Sequence, residues 1–301
     1  MGRRWDRCLD ATLCFATYCK CVTETLIRYV GPFFVVIALT LILGGIYVFF
    51  AAIFPYQVPN PYTLYGAIHL AWCAFLFQGL MFNYLLTIIT PAGAPPPPTD
   101  LSAERLAQLE SERAPRRGEG FSRWCKKCAQ SQSRTAWVSN CVGHFNHRYF
   151  VLFLLYLFMV CAYGALMSYS PFMDSHRFSV PWVGLSARGT IVFIFVLSVA
   201  VGLAVGLMLA WHLYLVLTGQ TTIEFYFNRY RMQMAKERGE TYYNEFDLGY
   251  RRNWDFFFGK GKFWFSWLLP TFTPPPGDGI TYPTRTDGKT NSRAMRNYAL
   301  V

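Results

Sequence analysis

One stretch carries most of the information in this chain: Trp137-Val138-Ser139-Asn140-Cys141-Val142-Gly143-His144-Phe145-Asn146-His147-Arg148-Tyr149-Phe150. It follows shortly after the pair Cys125-Lys126-Lys127-Cys128, and it runs into a segment without charged residues, Tyr149 to Met173. Two cysteines separated by two residues can place their thiolates around one tetrahedral zinc ion. The sequence therefore sets a candidate metal module directly beside a candidate membrane span.

The composition is that of a membrane protein. The chain has 301 residues, of which 53% are hydrophobic, 18% aromatic and only 15% charged, whereas soluble domains carry about 25% charged residues. Two further charge-free runs extend from Val30 to Thr99 and from Gly189 to Ile223. Because a helix needs about 20 apolar residues to cross a bilayer, these runs predict membrane spans rather than buried helices of a soluble core.

We place four spans, near residues 30–54, 64–89, 150–167 and 192–217. The first two are separated by a proline-rich turn at residues 55–61. The predicted fold is an all-α membrane protein with four transmembrane helices and a small cysteine-rich zinc module between the second and third. The first 29 residues are charged and mixed, so they do not resemble a cleavable signal peptide.

The basic residues predict the orientation. Lys and Arg number five in residues 1–29, nine in 90–149 and twelve in 218–301, against none in 55–63 and two in 168–188. Since cytoplasmic loops are enriched in Lys and Arg, both termini and the cysteine-rich segment are expected in the cytoplasm. The net charge of +11 then indicates attraction to an anionic leaflet. No basic stripe with stacking aromatics stands out, which disfavours nucleic acid as a partner.

Apolar residues at helical spacing follow the fourth span, and basic residues lie among them. Gly239 is a plausible stop, so residues 223–238 are predicted to form an interfacial helix; a solvated connector is the alternative. Polar residues inside the predicted spans indicate either a functional site or hydrogen bonds between helices: His69, Gln78, Asn83 and His212.

The cysteine pair, the motif after it and the four spans resemble the DHHC protein S-acyltransferases. The family pattern runs through Cys-Pro-Trp to Asn-Cys-Val-Gly, with Asn and Phe at fixed spacing, which Trp137 and the residues up to Phe150 match. The Asp-His-His-Cys block is missing, because Ala136 runs straight into Trp137. Both flanks match, which is typical of a skipped exon or a gene-model error.

The resemblance implies two structural zinc ions, each held by three Cys and one His. Cys125 and Cys128 match two ligands of the first site, and Cys141 matches the last ligand of the second. The other ligands fall in the missing block. A single substitute knuckle from Cys125, Cys128, Cys141 and His144 has acceptable spacing; the alternative is a disordered module without metal.

The resemblance also implies the chemistry. The family transfers an acyl group from palmitoyl-CoA to an enzyme cysteine and then to a substrate cysteine, using a thiolate that a neighbouring His and Asp activate. That cysteine is absent here, so no catalytic residue is assigned. Supporting family motifs are matched by five residues: Asn146, Thr221, Thr222, Glu224 and Asn253. For Thr221 and Glu224 an ordinary helix N-cap is the alternative.

Two functions from different classes follow. The first is an integral-membrane protein-cysteine S-palmitoyltransferase that is inactive as written, with membrane lipid and proteins bearing juxtamembrane cysteines as partners. The second is a non-catalytic membrane adaptor or pseudoenzyme. A small transporter is disfavoured because no inverted repeat is visible. The expected location is the endoplasmic reticulum or Golgi, with segments divided at 1–29, 30–89, 90–149, 150–217 and 218–301.

Overall fold

The computed structural model describes residues 31–93, 133–135, 138–173, 187–260, 263, 265–272, 275, 283–286 and 289–290. Within them lie four helices that are long and apolar enough to cross a membrane: α1 (Gly31–Gln57), α2 (Leu64–Ile89), α3 (His144–Met173) and α4 (Ala187–Leu217). The predicted all-α membrane fold with four spans is confirmed, and the chain is a multi-pass membrane protein.

The third helix begins earlier than its apolar run. α3 begins at His144, six residues before the predicted boundary at 150. At 1.5 Å per residue its 30 residues reach about 45 Å, against a hydrocarbon core of about 30 Å. One or both ends therefore project beyond the apolar layer, where polar side chains such as His147 and Arg148 can join the helix.

Proline and threonine residues determine where α1 ends and where α2 begins. Within α1, residues Phe49–Ile53 form a π-helical turn just before Pro55; proline has no N–H to donate, so the regular hydrogen-bond ladder is interrupted there. Thr63 caps α2, because its side chain accepts a hydrogen bond from the Gly66 N–H at 3.2 Å. The proline-rich turn thus closes one helix and the next begins on a threonine cap.

α3 is the centre of the bundle and packs against both α2 and α4. A Cβ atom on Gly79 of α2 would fall inside the ring of Tyr156, and one on Gly206 of α4 would lie 3.0 Å from the ring of Phe158. Small residues let backbones approach closely in membranes. These two glycines are therefore positions at which aromatic rings of α3 approach the backbones of the neighbouring helices.

The hairpin end of the bundle is the end at which α2 and α4 finish and α3 begins. Two short strands, β1 (Ser133–Thr135) and β2 (Asn140–Val142), form an antiparallel hairpin there. Gly31, at the start of α1, approaches the same hairpin, since an added Cβ would lie 2.6 Å from the Ser139 Oγ. All four helices therefore present one terminus to this region.

The chain after α4 forms α5 (Thr222–Glu237) and α6 (Tyr250–Phe258). The predicted helix over 223–238 is confirmed, and Gly239 follows it with a φ of +72°; its position on a leaflet stays a prediction. Residues 265–272, here named the tail loop, contain a 3₁₀ turn at Ser266–Leu268. A last hairpin pairs β3 (Arg285–Thr286) with β4 (Lys289–Thr290).

Candidate functional site

Asn140 joins the hairpin to the last turn of α2. Its Nδ2 group donates to the carbonyl oxygens of Thr87, Ile88 and Thr90 at 3.2, 3.1 and 2.9 Å. Its Oδ1 atom accepts from the Cys141 N–H at 2.9 Å. The last carbonyls of a helix have no partner inside that helix, so one asparagine side chain both caps α2 and fixes the start of β2.

Asn146 completes the same connection from the first turn of α3. Its Nδ2 group donates to the carbonyls of Cys141 at 2.7 Å and Thr90 at 3.2 Å, and its Oδ1 atom accepts from the Gly143 N–H at 2.7 Å. Asn146 is fully buried. Burial of a side-chain amide destabilises the fold unless its N–H groups and its oxygen form hydrogen bonds. Both Nδ2 and Oδ1 of Asn146 do so here.

The two flanks of the missing block are joined in this hairpin. Thr135 pairs with Asn140, and Arg134 pairs with Cys141. Only residues 136–139 separate the paired strands, and four-residue hairpin loops are common. Ser139 takes a left-handed φ of 53° in that loop, and Val138 is fully buried. The point between Ala136 and Trp137, which lies outside the described residues, therefore falls in the connection between two paired strands.

Half of the predicted zinc knuckle lies in the described residues. Cys141 follows Asn140 in β2, and His144 begins α3, with its ring 5.1 Å from that of Phe145 and 6.5 Å from that of Phe256. Cys125 and Cys128 lie outside the described residues. Over the described ranges, no three His, Cys, Asp or Glu residues come together to hold a metal, so a zinc site would depend on the cysteine pair.

Two histidines that the sequence analysis did not connect meet at the hairpin end. The rings of His147 on α3 and His212 on α4 lie 5.7 Å apart. Phe257 of α6 covers His147 at 4.9 Å, and Phe150 lies 5.1 Å from His212. The Nδ1 atom of His212 is buried without a hydrogen-bond partner among the described residues. His212 therefore has a ring neighbour on another helix, which one sequence alone does not reveal, but no interhelical hydrogen bond of His212 is seen among the described residues.

The remaining intramembrane polar residues behave differently from one another. His69 Nδ1 lies 2.7 Å from the Tyr163 hydroxyl on α3, which is a hydrogen bond between helices. Asn83 instead donates to the Gly79 carbonyl of its own helix at 2.7 Å. The prediction of bonds between helices therefore holds for His69, whereas the Asn83 donor is used within α2.

Thr221 and Glu224 form a capping box at the start of α5. The Thr221 Oγ1 accepts from the Glu224 N–H at 3.3 Å, and the Thr221 N–H donates to Glu224 Oε2 at 2.7 Å. This is the arrangement expected of an N-cap. Thr222 is the first residue of the helix and is partly buried.

Asn253 and Asn244 repeat the asparagine connection at the end of α4. Asn253 Nδ2 donates to the Leu217 carbonyl at 2.7 Å and to Asp247 Oδ1 at 2.8 Å, while its Oδ1 accepts from the Leu248 N–H at 3.1 Å. Asn244 Nδ2 donates to the Thr218 and Gly219 carbonyls at 3.1 and 3.2 Å. Buried Asn253 thus fastens α6 and its preceding loop to the last turn of a membrane helix.

Comparison with known proteins identifies the chain's relatives. Residues 112–229 match the family described as DHHC palmitoyltransferase. Palmitoyltransferase ZDHHC16A of Danio rerio is 25% identical over 88% of this chain and 82% of its own length. Palmitoyltransferase ZDHHC16B of Danio rerio is 27% identical over 87% and 79%, and palmitoyltransferase ZDHHC16 of Mus musculus is 27% identical over 87% and 76%. The family match and these relatives support membership of the DHHC palmitoyltransferase family.

Membership of the DHHC palmitoyltransferase family makes the protein an acyltransferase by family. The matched range 112–229 contains the hairpin, α3, α4 and the first half of α5. It also contains the junction between Ala136 and Trp137, where no Asp-His-His-Cys occurs. The family relationship therefore rests on the scaffold that surrounds the catalytic block.

Proposed function

We propose that this chain is a member of the palmitoyltransferase family whose scaffold is built for acyl transfer to protein cysteines, and that the polypeptide as written carries no acyl-accepting nucleophile. In that reaction an enzyme thiolate attacks the thioester carbon of palmitoyl-CoA and releases the CoA thiolate. A substrate cysteine thiolate then attacks the enzyme thioester and frees the enzyme thiol. Both steps need a cysteine of lowered pKa at the membrane surface.

The observation that carries the proposal is the pairing of Thr135 with Asn140. It shows that the strands on the two sides of the missing block pair with each other, which supports a scaffold that is kept although the reactive residues are absent. Cys141 is the nearest cysteine after the tip, and its backbone N–H and carbonyl are both held by asparagine side chains. In sequence the nearest aspartates are Asp100 and Asp174, far from the position of an activating acid.

A labelling experiment tests the proposal. The unmodified chain, incubated with an alkyne-tagged palmitoyl-CoA, should give no hydroxylamine-sensitive label in the peptide 125–141. Inserting a family-type block with Asp-His-His-Cys between Ala136 and Trp137 should give such a label, because the insertion lengthens only the connection between two paired strands. The same block with Ser in place of the last Cys is the control.

Labelling of the unmodified chain at Cys141 would contradict the proposal and make that cysteine the nucleophile. Failure of the inserted block, in a protein that keeps its thermal stability, would also contradict it, because the scaffold would then be incapable of the reaction. The experiment therefore distinguishes a scaffold that lacks only its nucleophile from a scaffold that cannot support acyl transfer.

A non-catalytic adaptor is the second candidate. The capping box of α5 and the hydrogen bond from Asn253 of α6 are both formed in this chain. They support a folded tail, which an adaptor would need in order to bind partner proteins. Sequencing cDNA across the codons for Arg134 and Trp137 discriminates the two. A longer transcript with the block supports an enzyme with a variant form, and a single short transcript supports the adaptor.

The orientation and location belong to the same proposal. The distribution of Lys and Arg, with 26 of 28 in residues 1–29, 90–149 and 218–301, supports a cytoplasmic hairpin end and cytoplasmic termini. Substrates would be proteins with cysteines close to that surface. Endomembranes, the endoplasmic reticulum or Golgi, are the proposed location. One structural zinc on Cys125, Cys128, Cys141 and His144 is the proposed metal, and the segment boundaries at 29, 89, 149 and 217 complete the proposed organisation.

A further inference from the structure

A fourth charge-free run lies in the C-terminal tail and is too short to span a membrane. It extends from Phe263 to Gly277 between Lys262 and Asp278, and it contains three phenylalanines, two tryptophans and several prolines. Fifteen residues rich in proline cannot form a spanning helix. The part of this run in the tail loop nevertheless contacts the membrane helices.

The tail loop lies along α3 at a depth well inside the apolar segment. The Tyr156 hydroxyl donates to the Leu268 carbonyl at 2.6 Å, and the Tyr149 hydroxyl donates to the Thr271 carbonyl at 3.3 Å. Arg148, the last charged residue before the span, donates from Nη2 to the Thr271 Oγ1 at 3.2 Å. Tyr156 lies eight residues beyond Arg148, which is about 12 Å along the helix axis. The chain therefore passes Leu268 beside the hydroxyl of Tyr156, whose ring leans from its Cα towards the hairpin end, and returns past Thr271 towards that end.

Part of the backbone of the tail loop is paired with protein groups. The N–H groups of Ser266, Leu268 and Leu269 donate to carbonyls within the turn at 3.1, 3.0 and 3.2 Å. Pro270 has no N–H, and tyrosine hydroxyls donate to the carbonyls of Leu268 and Thr271. Irregular backbone occurs at membrane depth only where protein satisfies its polar groups, and these groups are satisfied in that way.

The two faces of the tail loop differ. On the inner face, Trp267 packs against Trp254 and Phe258 of α6, each with ring centroids 5.1 Å away. On the outer face, Phe265, Leu269 and Phe272 are 41%, 45% and 76% exposed. Exposed basic residues lie just before the loop: Arg251, Arg252 and Lys260. Aromatic residues inside a basic border are typical of a segment that enters the boundary between headgroups and acyl chains.

We infer that the tail loop is a re-entrant membrane element, and that Phe265, Leu269 and Phe272 contact the acyl chains of the leaflet at the hairpin end. The occupant of this surface is phospholipid. Protein is the less favoured occupant because the loop lies at the depth of Tyr156, where a water-soluble partner would have to displace lipid. The inference does not depend on acyl transfer and applies to the chain with or without a catalytic cysteine.

Photocrosslinking tests the inference in the full chain reconstituted in bilayers of phosphatidylcholine and phosphatidylserine. Benzoylphenylalanine replaces Phe265 or Phe272. Phe193, which is 57% exposed on α4, is the lipid-facing control, and Tyr243, which is 54% exposed between α5 and α6, is the control outside the spans. Phospholipid adducts at 265 and 272 at the level of position 193, and above position 243, are expected. Adducts at the level of position 243, or adducts to a second protein chain, would overturn the inference.

A second variant protects the test against a misfolded crosslinking mutant. Leu269→Lys places a charge in the proposed lipid contact, whereas Tyr243→Lys places it on an exposed connection. Trypsin cleavage after Lys260 should be faster in Leu269→Lys than in the parent chain and unchanged in Tyr243→Lys, because the charged residue pulls the loop out of the leaflet. Equal cleavage of all three proteins would show that Leu269 faces water.

Discussion

Tyr156 and Leu268 are 112 residues apart in the chain, yet the Tyr156 hydroxyl donates a 2.6 Å hydrogen bond to the Leu268 carbonyl. The ring of the same tyrosine lies over Gly79 of α2 and 5.7 Å from Phe75. One side chain of α3 therefore connects a neighbouring membrane helix to the tail. The bond joins the third membrane helix to the C-terminal tail, which lie in separate segments of the sequence.

Tyr156→Phe should loosen the tail while leaving the bundle intact. The ring stays in place, but the Leu268 carbonyl loses its donor, and leaving a buried acceptor unpaired costs roughly 1–3 kcal/mol. Limited proteolysis after Lys260 should be accelerated. Tyr169→Phe is the matched control because Tyr169 is an exposed residue of the same helix. Equal proteolysis rates in the two variants would show that the hydrogen bond does not hold the tail.

Gly79→Ala should destabilise the bundle. The added methyl group would occupy the space of the Tyr156 ring, and overpacking of this kind costs roughly 1–3 kcal/mol. Gly44→Ala is the control, since a Cβ there has nothing within 4 Å. The midpoint of thermal unfolding in detergent should fall for Gly79→Ala only. Adding Tyr156→Ala should remove part of the penalty, so additive effects of the two substitutions would argue against direct contact.

Asn253→Asp and Asn140→Asp should each destabilise the fold. Both asparagines use their Nδ2 group as a donor to the carbonyls at a helix end, and a carboxylate would place negative charge against those oxygens. The cost is about 1–3 kcal/mol or more per site. Asn60→Asp is the matched control because Asn60 uses its Oδ1 atom as an acceptor for the Tyr62 N–H, which aspartate preserves. Thermal unfolding midpoints compare the three variants.

Zinc content decides between the substitute knuckle and a module without metal. If Cys125, Cys128, Cys141 and His144 bind together, purified protein should carry about one zinc per chain, because a closed tetrahedral site needs four ligands. Cys125→Ser should remove it, and Cys73→Ser, in α2, should not. Elemental analysis by mass spectrometry gives the answer. A parent chain without zinc that keeps its thermal stability would rule the knuckle out.

The orientation predicts protease access in intact microsomes. Epitope tags at residue 1, within 100–120 and at residue 301 should all be digested, because the basic segments are expected on the cytoplasmic side. A tag between residues 174 and 186 should be protected, since it lies at the far end of α3 and α4. Protection of any of the first three tags would contradict the proposed topology.

Much of the fold could be read from composition and local motifs. The spans near 30–54, 64–89, 150–167 and 192–217 correspond to α1 to α4, because the bilayer requires long apolar helices whatever their partners are. The Thr221 cap and the Gly239 stop could also be predicted, because each acts within one helical turn. The helix α3 begins six residues before the predicted span, at His144, because its polar first turn gains its stability from Asn146 and from packing, and not from apolarity.

The candidate site was accessible to sequence reading only in part. The family motif named Asn146 and Asn253, but the carbonyls they contact lie at the ends of α2 and α4 and are separated from them by up to 59 residues. The pairing of His147 with His212 had no local signal. Such contacts depend on how helices pack against each other, which a periodicity in one segment does not encode.

The sequence by itself determined that this chain has four apolar helices, basic residues concentrated in residues 1–29, 90–149 and 218–301, and the motif of a palmitoyltransferase without its Asp-His-His-Cys block. The length of an apolar segment, its flanking charges and its helix caps are local properties of the sequence. They can therefore be recognised one segment at a time. Only the tertiary structure decided that the strands on the two sides of the missing block pair, that asparagines fasten the tail to helix ends, and that the tail loop lies against Tyr156. These relationships arise from close approach between distant segments, where the packing at Gly79 and the pairing of buried polar groups select one arrangement.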